Sequence, residues 1–268
     1  MDELRFSIFQ QDYFLSEQMN LGLYEIISFT SKCPTKKTEP NEDAIGILPL
    51  DDGSIVLAIA DGAGGYPSGE KTSYLAVQTL LDKVSELSSN KEKLRDAVIE
   101  GIESANVKII DANLGGRTTL TVCTLNEDKS RFYQIGDSGA LISGQKGALI
   151  FETLQQSPVG YGVEAGLIHE DEALSHPQLN QVNNLMGEAN MSIHIGPIIA
   201  LKIYDTLLMA TDGILDNFSK SELIEIIRKG TLEEVISALT QIFLPEHKDK
   251  LRKNDDYSFI LCRLNKNT

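Results

Sequence analysis

Apolar residues along this chain fall into short runs punctuated by turn residues, with a few longer amphipathic stretches among them. Ser54–Ala60 (SIVLAIA) is apolar at almost every position, the pattern of a buried strand. Arg117–Leu125, Arg131–Ile135, Ala140–Ser143 and Ala148–Glu152 read as successive strands with turns between them, and Tyr204–Ala210 and Ser258–Leu264 follow. From about Gly69 to Leu87, the positions Leu75, Val77, Leu80, Leu81, Val84 and Leu87 recur at helical spacing. Lys91–Asn113 repeats the pattern with Leu94, Val98, Ile102 and Ile109 along one face, and Ser221–Arg228 and Leu232–Leu244 predict a later helical pair. The stretch from about Gln155 to Ile199 is patterned weakly and reads as a long excursion with a short helix near Glu170–Leu174.

Strands flanking a helical pair, without strict β-α-β alternation, predict an α+β fold of sheets covered by helices; a parallel doubly wound sheet is the weaker alternative. No repeat, low-complexity tract or composition break divides the sequence, so one domain is expected over residues 1–268. Residues 1–30 are an N-terminal extension or the first strands, and Phe6, Phe9, Tyr13, Phe14, Leu15 and Met19 are expected to pack on the domain.

The chemistry lies where strands end. SIVLAIA runs into Asp61-Gly62, RFYQI into Gly136-Asp137, and TLLMA through Thr211 into Asp212-Gly213, while Asp255-Asp256 precedes the last strand. At any single site, Asp and Gly are adequately explained as turn residues. Four such sites together point further, because carboxylates brought to one end of a sheet repel one another unless a cation compensates. Oxygen ligands of this kind suit Mg²⁺, Mn²⁺ or Ca²⁺, and four histidines without HxH or HxxxH spacing disfavour zinc. The loop from Asp61 to Glu70 contains Gly62, Gly64 and Gly65, which let a backbone carbonyl face a metal. It lacks the Lys-Ser/Thr of a nucleotide-binding P-loop, and an Asp at its head would repel phosphate. Asn41-Glu42-Asp43 sets two more acids before the apolar stretch Ile45–Leu48; alone it would be an exposed loop. Asp216, one helical turn past Asp212, is by itself a solvated turn residue, or else a second carboxylate on the same face.

Composition narrows the partners. With 24 basic and 39 acidic side chains, the net charge of −15 argues against nucleic acid or an anionic membrane as the main partner. It suits a protein that gathers divalent cations, and equally an ordinary acidic surface. The three cysteines (Cys33, Cys123, Cys262) form no CxxC pair and, being odd in number, no disulfide framework. The N-terminus has neither the basic start nor the apolar stretch of a signal peptide, and no apolar run reaches membrane-span length, so a cytoplasmic address is expected.

Taken in order, NEDA at 41–44, ADGAGGYPSGE at 60–70, GRTTL at 116–120, GDS at 136–138, TDGILDN at 211–217 and DDYS at 255–258 resemble the motif series of the metal-dependent type 2C protein Ser/Thr phosphatases, over about residues 41–264. The resemblance implies a four-layer αββα sandwich, two central antiparallel sheets flanked by helices, with the metals at one end. It implies two Mg²⁺ or Mn²⁺ ions, with a third in some members, and attack of a metal-activated water on phosphoserine or phosphothreonine in a phosphorylated protein. A monomer is expected.

Carried over by position, the resemblance makes Asp61 the bridge between two metals, gives one metal Glu42 and the Gly62 carbonyl, and has Asp43 orient a bound water. Asp212 and Asp255 then hold the other metal, Asp256 replaces the family's Asn, and Asp137 and Asp216 match acids of the third site. Asp43, Asp61 and Asp212 form the expected catalytic centre. Three positions depart from the pattern. Thr38 stands where an Arg usually grips the phosphate, leaving Lys36 and Lys37 as the candidate cations; Ala63 replaces a frequent His, and Gly139 a frequent Arg. Two other classes stay open: a catalytically weak metal-binding regulatory module, and a hydrolase of small phosphate esters.

Overall fold

A strand that is apolar on both sides needs both faces covered, and the computed structural model meets this need by stacking two sheets between two helical layers. It describes residues 7–10, 15–36, 39–88, 94–244, 247 and 251–264. The first sheet runs in the order β1 (Ser7–Phe9), β4 (Asp43–Pro49), β5 (Ile55–Asp61), β6 (Leu120–Asn126), β7 (Lys129–Ile135) and β10 (His194–Ala200). The second runs β2 (Leu15–Leu21), β3 (Tyr24–Ser31), β12 (Tyr257–Leu264), β11 (Thr206–Ala210), β8 (Gly139–Ser143) and β9 (Leu149–Glu152). Every strand pairing among the described residues is antiparallel, so the doubly wound alternative does not occur.

Alternation within single strands builds the layers. Ile55, Leu57 and Ile59 of β5 point between the sheets, where they meet Ile26, Met209, Ile260 and Cys262. Val56, Ala58 and Ala60 point the other way, onto α1 (Gly69–Leu87) and α2 (Leu94–Ala112) through Val77, Leu80, Leu81, Val98 and Ile102. In the second sheet, Phe259 and Leu261 face outward with Phe29 and Leu208. They pack under α5 (Asp212–Leu215), α6 (Lys220–Ile227) and α7 (Leu232–Thr240) against Ile214, Leu223, Ile227, Val235 and Leu239. The result is the four-layer αββα sandwich. All three cysteines are free and buried. Among the described residues, no helix is long and apolar enough to cross a membrane.

Several boundaries differ from the sequence expectation. The strand expected from Arg117 begins only at Leu120, because Arg117–Thr119 departs to bridge Gly62 on one side and Met186 on the other. The helix expected over Leu232–Leu244 ends at Thr240 in a 3₁₀ turn, Gln241–Phe243. The excursion contains more than the short helix, which spans Glu170–Ala173 (α4). It also holds α3 (Pro158–Glu164), capped by the Ser157 side chain on the Gly160 N–H, and edge strand β10. The N-terminal residues supply β1, β2 and β3, and Met19 joins the core between the sheets; Phe6, Tyr13 and Phe14, like Lys91 of the second helix, lie outside the described residues.

The core between the sheets should dominate stability. Leu57→Ala, at a fully buried position, is expected to cost about 2–5 kcal/mol in urea unfolding. Leu167→Ala, at an 84% exposed position, should stay within about 0.5 kcal/mol of the parent.

Candidate active site

Strand register gathers the acids. β4 and β5 pair with Asp43 directly opposite Asp61. In the other sheet, Ala210 lies opposite both Gly139 and Phe259, so Thr211-Asp212, the Gly136–Ser138 turn and Asp255-Asp256 all leave from one edge. Hydrogen bonds tie the two sheets together there. The Thr211 hydroxyl donates to Asp43 Oδ2 at 2.9 Å and the Glu42 N–H to Asp256 at 2.8 Å, while within the second sheet the Cys33 N–H also donates to Asp256 at 2.8 Å. Thr118 Oγ1 and the Thr119 N–H both donate to the Asp61 carbonyl, fixing the strand end from its other neighbour.

Two glycines permit this closeness. A Cβ on Gly62 would sit 2.6 Å from the Gly69 Cα, where the start of α1 crosses the loop; Gly69 in turn abuts the Glu42 carboxylate. Gly213 lies against the Asp256 carbonyl with no room for a side chain.

Burial and mutual repulsion govern the electrostatics. Burial, reinforced by the charge of Asp212, pushes the carboxyls of Asp61, Asp216 and Asp255 above the usual carboxylate range, and that of Asp137 to about 7. Burial and the charge of Asp256 do the same to Asp43, and burial raises Glu42. Two ammonium groups offset the charge. Lys253 pairs with Asp212, and lies 3.5 Å from both Asp216 and Asp255. Lys36 lies 2.9 Å from Asp256, 3.3 Å from Asp255 and 3.5 Å from Glu42. Burial alone would lower both lysine pKa values, but these acids raise them well above the ordinary range.

Each expected ligand is therefore at this edge: Glu42, Asp43, Asp61, Gly62, Asp137, Asp212, Asp216 and Asp255. Among the described residues, no three acid, His or Cys side chains stand preformed around one ion position; the lysines lie among the acids instead. The donor set still fits a hard cation. Asp43 Oδ1 and Asp212 Oδ1 are buried carboxylate oxygens with no hydrogen-bond partner, and such groups are costly unless a cation or donor meets them.

Lys36 is held by carboxylates, and Lys37 and Thr38 lie outside the described residues. Sequence reasoning overlooked Lys253, whose position two residues before Asp255 was the available signal, and Thr211, adjacent to Asp212. It also missed Arg117, whose guanidinium lies 5.5 Å from the Tyr66 ring centre of the glycine-rich loop. The buried Arg117 Nε has no hydrogen-bond partner, Glu188 being 3.9 Å away.

Residues 34–254 match the protein phosphatase 2C family, and the chain belongs to it. A putative protein phosphatase 2C-type of Streptococcus pyogenes serotype M6 is 30% identical over 211 residues, covering 74% of this chain and 83% of that protein. The crystal structure of the serine/threonine phosphatase Stp1 from Staphylococcus aureus superposes with a TM-score of 0.79 at 26% identity, covering 93% of this chain and 98% of that one. The catalytic domain of the serine/threonine phosphatase PstP, solved with two manganese ions, shares the fold, with a TM-score of 0.71 at 20% identity over 90% of this chain and 98% of that one.

The raised pKa of Asp137 has a definite sign. It favours the fold fully below the unfolded value, near 4, and that contribution is lost as pH rises through about 7. In chelator, Asp137→Asn is therefore expected to raise Tm at pH 8, to raise it by much less at pH 5, and to leave it near the parent value at pH 4 and below. An equal change at every pH would place the repulsion elsewhere.

Proposed function

We propose that this chain hydrolyses phosphoserine and phosphothreonine in proteins, using two Mg²⁺ or Mn²⁺ ions held at the acidic edge. The observation that carries the reading is the convergence of ordered motif acids, two of them with buried, unpartnered carboxylate oxygens, from both sheets onto one edge. Asp61, Glu42 and the Gly62 carbonyl would hold one ion, Asp61 with Asp212 and Asp255 the other, and Asp137 and Asp216 would serve a third. Bound there, such ions make water nucleophilic near neutral pH and offset charge on the phosphoryl oxygens.

The protein's own contribution is position. Thr211 fixes Asp43 Oδ2, leaving Oδ1 to accept a hydrogen bond from the attacking water. In-line attack on phosphorus then needs no nucleophilic side chain, in keeping with three buried thiols. The reading extends to a monomer in the cytoplasm, where free cysteines suit a reducing compartment.

Turnover of para-nitrophenyl phosphate with Mn²⁺ is expected, with Asp61→Asn lowering kcat by roughly 100-fold or more, the scale of losing one electrostatic stabiliser. Phosphopeptides should compete well as substrates; hydrolysis of small esters alone would make the protein a small-ester hydrolase. Because Lys36 is engaged by carboxylates, the regulatory-module reading keeps one observation in its favour, and absence of turnover with either ion would decide for it.

A further inference from the structure

Lys253 is placed with more care than a surface lysine. Asn217, buried at the end of the TDGILDN segment, holds its backbone from both sides: Asn217 Nδ2 donates to the Lys253 carbonyl at 2.9 Å, and Asn217 Oδ1 accepts from the Lys253 N–H at 3.1 Å. The same oxygen accepts from the Arg252 N–H at 2.8 Å. So anchored, the side chain runs inward, only 14% exposed, and its ammonium meets Asp212, Asp216 and Asp255. These acids belong to the corner assigned above to the second ion and the optional third one.

We propose that Lys253 is a built-in cation of this site, which a divalent ion must displace before occupying the Asp212–Asp216–Asp255 corner. The inference rests on the metal-dependent reading. It assigns the two halves of the site different behaviour. The Glu42–Gly62–Asp61 half meets Lys253 only through Asp61, and its own ammonium, Lys36, lies 3.5 Å from Glu42 and closer to Asp256, so it is the less firmly countered half and fills first. The other half exchanges one positive charge for two, and fills only at higher ion concentration. With the ammonium in place, the acids keep a counter-charge and the edge stays folded without metal. Lys253 thus acts as a positioning residue that sets the ion concentration at which the site completes.

Mn²⁺ calorimetry on the full chain tests this. The parent should show a tighter and a weaker event. Lys253→Gln should tighten the weaker one at least about tenfold, the scale of one charge contact in a half-buried site, and should lower Tm in chelator. Lys253→Arg, which keeps the charge, should stay near the parent on both readouts. If Lys253→Gln lowers Tm but leaves ion affinity unchanged or weaker, the lysine is only a structural counter-ion and the proposal is overturned.

The unaltered protein gives a second readout that survives a variant failing to fold. Acylation by an activated ester, followed by mass spectrometry, should label Lys253 slowly in chelator and faster at saturating Mn²⁺, relative to exposed Lys108. Labelling that is unchanged or slower with Mn²⁺ would overturn the inference. Mn²⁺ binding that is lost in Asp61→Asn yet indifferent to Lys253→Gln leaves the phosphatase reading standing and removes this one; no Mn²⁺ binding in any form removes both.

Discussion

Repulsion among buried carboxylates at one edge of the sandwich is the constraint that the rest of the structure contains. Asp43, Asp61, Asp137, Asp212, Asp216 and Asp256 are all buried there, each within a strand or helix or no more than two residues from one. Such a group would spread apart if its supports could move. They cannot move independently, because β4, β5, β8, β11 and β12 are each packed on both faces by apolar layers. The cross-sheet bonds from Thr211 to Asp43 and from Glu42 to Asp256 then fix the separation of the sheets at the edge where charge is densest. The three hydrophobic layers act as a frame, and the charge they hold in place becomes available for chemistry.

How much of this was legible in the sequence depended on how local the cause was. The continuous run of β5 and the limits of α1 follow from spacing alone, and both appear as expected. Strand-end acids were visible because Asp-Gly after an apolar run is a one-dimensional signal. The direct pairing of Asp43 with Asp61 was not, since register depends on where β4 and β5 meet in three dimensions. β10 was hidden because HIGPIIA carries Gly196 and Pro197 at an irregularity between Ile195 and Ile198, on an edge that is largely exposed, so it has no alternation to read. α3 did announce itself through Ser157-Pro158, a cap followed by proline at the first turn, but seven residues were too few for a periodicity.

The site was legible as a set of acids and illegible as a balance of charges. Lys253 sits among polar neighbours in a stretch without pattern, and nothing in KNDD says that its ammonium turns inward. Lys36 is alike: by position it is a candidate cation for phosphate, and three carboxylates hold it. Asp256 accepts from two backbone N–H groups and from Lys36, so its negative charge comes with a nearby positive one.

The sealing of Cys33, Cys123 and Cys262 within the packed layers carries a consequence of a different kind. Burial drives the Cys123 and Cys262 thiols far from ionisation. Phosphatases that attack through a thiolate can be silenced by peroxide or alkylating agents; a site whose acids and lysines hold no thiol, with Cys123 and Cys262 buried and protonated, offers those reagents no thiolate. Control of such a site passes from thiol oxidation to the supply of ions.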